Sequence, residues 1–195
     1  MKSVLKKSRL FIMLASLLGV VSPMAQAADL VPVQPTVAVV DEQHQAISWA
    51  NLMLNGFLQH HEGASINEIS FDATDTVVTL TVGGFDKDGV YKAVFTNTAN
   101  EVKDEKVGKL TKTVEKTAFD PSTILPPAVA VNFAYAQAEG KATSLLSWAV
   151  KTDNGTPKYT VVFATQDKKT ITVVFDAVSG KLFHVAWLTA PDLGD

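Results

Sequence analysis

The stretch YTVVFATQDKKTITVVFDAVSGKL, Tyr159 to Leu182, decides how this chain folds. Tyr159, Val161 and Phe163 alternate with Thr160 and Val162, and Ile171, Val173 and Phe175 alternate with Thr172 and Val174. A period of two sends one set to a buried sheet face and the other to an open face. The stretch closes on Asp176 and Gly180, where aspartate and a glycine tolerant of positive φ predict a tight turn between strands.

Working outward, Asp153-Asn154-Gly155 is a hairpin signal ahead of these strands. Further upstream, Pro126-Pro127 opens a helix whose apolar stripe is Val129, Phe133 and Ala136, and Gly140 ends it. The same order precedes Asp120-Pro121. Asp41 caps a helix over roughly 42–60, with Ile47, Ala50, Leu54, Phe57, Leu58 and His61 at helical spacing and Gly63 as its stop. Val78, Leu80 and Val82 then alternate with threonines, Asp86-Lys87-Asp88-Gly89 turns the chain, and Tyr91, Ala93 and Phe95 alternate again.

Three landmarks relate the halves. Glu62-Gly63 returns as Glu139-Gly140, Tyr91-x-x-Val94-Phe95 as Tyr159-x-x-Val162-Phe163, and Asp104-x-x-x-Gly108-Lys109-Leu110 as Asp176-x-x-x-Gly180-Lys181-Leu182. The offsets of 77, 68 and 72 differ by loop lengths alone. The expected class is therefore α+β: two tandem repeats, each one helix packed on a three- to four-stranded antiparallel sheet. The expected units are 41–120 and 121–190, after an extended lead-in at 28–40 and before a tail at 191–195. Asp104, Gly108, Asp176 and Gly180 form the structural turn motif, and Trp148, aligned with Phe71, belongs to the core. The second face of the first sheet carries Thr79, Thr81, Lys92 and Thr96, and that of the second carries Thr160, Val162, Thr172 and Val174. The latter, more apolar, is either covered by the other unit or presented to a partner. Trp187, outside the repeat match, is the candidate exposed anchor.

The run Val173-Val174-Phe175-Asp176-Ala177-Val178-Ser179-Gly180-Lys181-Leu182 resembles the closing strand and turn of the PepSY family, with serine in place of threonine. Asp104-Glu105-Lys106-Val107-Gly108-Lys109 matches less well, lacking the alanine and the hydroxyl residue. The resemblance implies an exported, non-catalytic domain that binds another protein, as an inhibitor or chaperone of a peptidase. A tandem arrangement of helix and four strands is also similar in architecture to the beta-lactamase inhibitor protein, whose sheets form a concave binding surface.

The N-terminus points the same way. Lys2, Lys6, Lys7 and Arg9 precede an apolar run of 12 residues, Leu10 to Val21, and Ala25-Gln26-Ala27 supplies a small-x-small cleavage pattern. Twelve residues fall short of the ~20 that span a bilayer. The reading is a signal peptide cleaved near Ala27 and a periplasmic or secreted mature chain without a membrane span. Losing those four cations leaves 13 lysines against 20 carboxylates, a net charge of −7. Arg9 is the only arginine in the chain. A field of that sign disfavours nucleic acid and anionic membranes and suits a basic protein target. The absence of cysteine excludes disulfides, thiolate chemistry and lipid attachment through cysteine.

Catalytic motifs are missing. In residues 28–195 there is no HExxH, G-x-S-x-G or S-x-x-K pattern, and Gly83-Gly84 precedes a hairpin rather than a helix. Asp86-x-Asp88-Gly89 lacks the closing glutamate of a calcium loop, position twelve being Asn97. His60-His61-Glu62 is the one cluster of metal-ligating types. Adjacent helical residues point about 100° apart, which argues against a shared metal. His44 and His184 read as solvated or core-edge. The expectation is a protein without cofactor, metal or catalytic residues, whose partner is another exported protein of the peptidase or toxin class. The alternatives are a periplasmic immunity or inhibitor protein against a toxin or cell-wall enzyme, and a small-ligand carrier or enzyme.

Overall fold

A computed structural model describes residues 37–74, 77–99 and 101–189. The expected signal peptide with its cleavage near Ala27, most of the lead-in, and the 191–195 tail lie outside these residues. The elements follow as α1 (Val37–His60), β1 (Ser65–Ala73), β2 (Val78–Asp86), β3 (Gly89–Thr96), β4 (Glu101–Gly108), α2 (Lys112–Glu115), α3 (Pro127–Gln137), β5 (Ala142–Asp153), β6 (Thr156–Thr165), β7 (Lys169–Asp176) and β8 (Leu182–Thr189). The helix α1 starts at Val37, ahead of Asp41, so residues 37–40 are helical rather than extended.

The eight strands form one antiparallel sheet in the order β4-β3-β2-β1-β5-β6-β7-β8. This overturns the expectation of two tandem units, each a helix on its own sheet. The seam is the pairing of β1 with β5, from Glu68 opposite Lys151 to Asp72 opposite Ser147. Alternation assigns side chains to faces but leaves every strand with two hydrogen-bonding edges, and an unpaired edge exposes a row of N–H and C=O groups. Pairing β1 with β5 satisfies both inner edges at once. It also sets Phe71 opposite Trp148, their rings 6.5 Å apart and 17° from parallel. The sheet's own ends are β4 and β8. The first is guarded by its charges, from Glu101 to Lys106. The second exposes Leu182, Phe183, Trp187 and Leu188.

The apolar set of every central strand meets the helices in a single core that runs from Ala50 and Phe57 in α1 to Phe175 in β7. Trp148, Tyr159, Phe163 and Phe175 are its largest buried members. Small residues bring the helices down onto the sheet. Ala130, Val131 and Ala134 form the buried side of α3, in place of the expected stripe at Val129, Phe133 and Ala136, and Val129 is exposed. Phe133 and Tyr135 flank that contact and meet Phe175 and Phe163 edge-on, at 4.8 and 5.9 Å. Under α1 the close approach is at Gly84. A Cβ there would stand 2.7 Å from Phe57 Cε1 and 2.6 Å from the Ser65 carbonyl oxygen. Only a bare backbone lets that ring reach the strand.

The turns form where the dipeptides put them. Asn154 and Gly155 both have positive φ (50° and 79°), and Gly63 and Gly140 end their helices at 77° and 73°. Among the described residues no helix is long and apolar enough to cross a membrane.

Candidate functional site

Both long helices pack against the core side chains of the sheet, and the alternate set forms the opposite face. Across β6 and β7 that face pairs Thr160 with Val174 and Val162 with Thr172, so four of the five sequence candidates are neighbours on one surface. All four are partly exposed. Val94, partly exposed, continues the surface on the other side of the seam, and Thr81, directly opposite it on β2, is buried on the same face. At its centre stands Glu68, whose carboxylate meets Lys151 Nζ at 3.0 Å and Lys92 Nζ at 3.7 Å and accepts from Ser70 Oγ at 3.2 Å. Pairs this exposed contribute little stability each. Their effect is to leave a central patch of near-balanced charge within a β-branched, hydroxyl-rich surface.

Trp187 does not join this face. It sits opposite Ile171, a core residue, so it lies on the helix side, with Lys141 Nζ 4.5 Å from its ring centre. Its position outside the repeat match made it a candidate for the open face, but that position carries no information about which face a strand residue takes; the cross-strand partner Ile171 does.

The turn motif divides likewise. Asp176 Oδ1 accepts from the backbone N–H of Val178 (2.9 Å) and Ser179 (2.7 Å) and from the Ser179 hydroxyl (2.9 Å), while Gly180 takes φ 71°. Partial burial alone would raise the Asp176 pKa, but these donors outweigh it and hold the carboxyl below its usual value. Asp104 and Gly108, expected in an equivalent turn, lie within β4, where Asp104 pairs with Ala93 and Gly108 with Val90.

Asp104 instead serves a different constellation. Its carboxylate is hydrogen-bonded to His60 Nδ1, and to His61 Nε2 at 2.9 and 3.1 Å. The argument from helical spacing fails because α1 ends at His60. The His61 N–H still closes onto the Phe57 carbonyl (2.8 Å), but the chain then swings through Gly63 and the His61 ring lies between Phe57 and Tyr91, at 4.7 and 4.2 Å. His60 remains largely exposed, whereas the His61 and Asp104 side chains are mostly covered. Asp86 borders the group. Burial would raise its pKa, but the backbone N–H groups of Asp88 and Gly89 and the nearby His61 hold it low. Desolvation, followed by the charges of Asp86 and Asp88, raises the pKa of Tyr91. Sequence reasoning had both histidines but no signal for the strand 43 positions away that supplies the carboxylate.

A cleft of roughly 170 Å³ lies between α1, the Pro121–Pro127 segment and the sheet, lined by Ala50, Leu54, Ile124, Leu125, Trp148 and Tyr159 among others. That is below the ~300 Å³ at which drug-sized ligands are usually housed. The Tyr159 hydroxyl does not face it as a free group, because it donates to the Leu125 carbonyl at 2.7 Å.

No family model matches the chain. No curated protein matches it either. A solved structure from Clostridium difficile 630, described as a "putative lipoprotein", is similar with a TM-score of 0.56 over 69% of this chain and 89% of that one. At 22% identity the likeness is one of fold.

Proposed function

We propose that this is an exported protein that binds another exported protein across the open face of its sheet and carries out no chemistry there. The observation that carries the reading is the segregation of both long helices to one face, which leaves the surface around Val94, Val162 and Val174 partly exposed. A broad β surface with apolar centres and a hydroxyl-rich surround is suited to protein rather than to small-molecule recognition. Export is supported by the three-part N-terminal pattern before residue 28 and by likeness to a protein described as a lipoprotein. The PepSY-like run from Val173 to Leu182 favours a peptidase as partner. The net charge of −7 left after cleavage favours a basic target, and that supports the second reading, an immunity protein against a toxin or cell-wall enzyme.

The test is cross-linking of the exported protein in its own envelope extract, with the linked lysines identified by mass spectrometry. Links from Lys92, Lys103 and Lys151, all projecting from the open face, are the expected result. The double variant Val162→Asp, Val174→Asp, folded by circular dichroism, should lose the partner. A partner retained by that variant, or linked only through Lys112, Lys116 and Lys141, overturns the reading. The identity of the linked protein separates peptidase from toxin.

A further inference from the structure

The geometry points to a zinc site formed by His60 Nδ1, His61 Nε2 and a carboxylate oxygen of Asp104. These three donor atoms all lie within 4.8 Å of one another. Ligands held at ~2.0–2.2 Å around a tetrahedral Zn²⁺ stand about 3.3 Å apart, so the group needs only a small adjustment to close on an ion. Its two His61–Asp104 contacts, at 2.9 and 3.1 Å, are already near that separation.

The donor set selects the class of metal. Two imidazoles and one carboxylate suit zinc and its neighbours in the first transition row. Calcium and magnesium take oxygen ligands, and this group offers them a single carboxylate. Three protein ligands leave a fourth position open on the side of His60, whose side chain is 67% exposed.

The surroundings fix two of the three ligands in place. The His61 ring is gripped between Phe57 and Tyr91. Asp104 is held by its pairing with Ala93 in the ladder. His60 is the exposed third arm. An ion here would join the C-terminal end of α1 to the edge strand β4. The site lies on the helix side, away from the proposed docking face, so its test is independent of that reading.

The experiment is calorimetric titration of zinc chloride into the chelator-stripped protein, purified as the cell exports it. Saturable binding of one ion is expected, with a rise in melting temperature that magnesium and calcium do not reproduce. His60→Ala, which removes an exposed ring, and Asp104→Asn should each weaken binding by about tenfold or more. Glu62→Ala, an exposed carboxylate beside the group, should leave it unchanged. Cobalt substituted for zinc gives a second readout, through visible bands that His60→Ala alters. Absence of saturable zinc binding, or equal affinity in the wild type and His60→Ala, overturns the proposal and leaves an Asp104 carboxylate shared by two imidazoles as a hydrogen-bonded cluster only.

Discussion

Replacing Tyr159 with phenylalanine removes one oxygen from the centre of the molecule and leaves the ring in place. That ring is fully buried and lies nearly parallel to Phe175, 5.4 Å away. The hydroxyl donates to the Leu125 carbonyl at 2.7 Å, and Leu125 returns its own N–H to the Ala177 carbonyl, also at 2.7 Å. The variant strands the Leu125 carbonyl, itself in a buried residue. An acceptor orphaned in that way costs ~1–3 kcal/mol. For a domain of this size the loss corresponds to a melting temperature lower by roughly 2–12 °C.

An alkaline signature separates this effect from simple repacking. Burial raises the Tyr159 pKa far above its ordinary value. The folded state therefore holds the proton while the unfolded chain releases it near pH 10. Stability from this group is complete below that pH and declines above it, by up to about 1.4 kcal/mol per pH unit. Phenylalanine has no such loss, so the gap between wild type and variant should narrow between pH 9 and pH 11. Urea denaturation followed by circular dichroism across that range measures the gap directly. A variant within 0.5 kcal/mol of wild type at pH 7, a margin typical of neutral surface substitutions, or a gap that stays constant to pH 11, refutes the reasoning.

Gly84→Ala should destabilise by ~1–3 kcal/mol, because the new methyl meets the Phe57 ring and a backbone carbonyl, and thermal melts will register it. Asp176→Ala should lower stability at pH 7 and flatten its acid dependence. The carboxyl is held low by the Ser179 and Val178 donors, so its contribution is present above the ordinary aspartate pKa near 4 and is lost as pH falls below it. Asp167, held by Lys169 and Thr165, should titrate at about 2 by NMR, and Thr165→Val should raise that midpoint.

The residues that fixed local structure were legible because their signals are local. The alternation from Tyr159 to Phe175, the dipeptide Asn154-Gly155 and the proline pair before α3 each act within a few positions. Which edges of the strands meet is a long-range choice, and nothing in the alternation distinguishes β1 paired with β5 from two free edges. Aligning Asp104 with Asp176 failed for a related reason. A short Asp-x-x-x-Gly spacing occurs by chance in a charged edge strand, and only the tertiary partner tells a turn carboxylate from one answering two histidines. The open face was readable because period two assigns it residue by residue. Trp187 was assigned to that face only because it lay outside the repeat match, and its partner Ile171 across β7 and β8 places it on the other.

The seam between β1 and β5 also governs time. Every other neighbouring pair is closed by a turn of a few residues, whereas Asp72 and Ser147, the nearest pair across the seam, stand 75 positions apart. Closing a loop of that length rather than one of ten residues adds about 2 kcal/mol of entropic cost. The two four-stranded meanders can each zip through local contacts, but the eight-stranded sheet must wait for one distant encounter. Phe71 and Trp148, facing each other there, therefore bear on how soon the native state is reached as well as on how long it lasts.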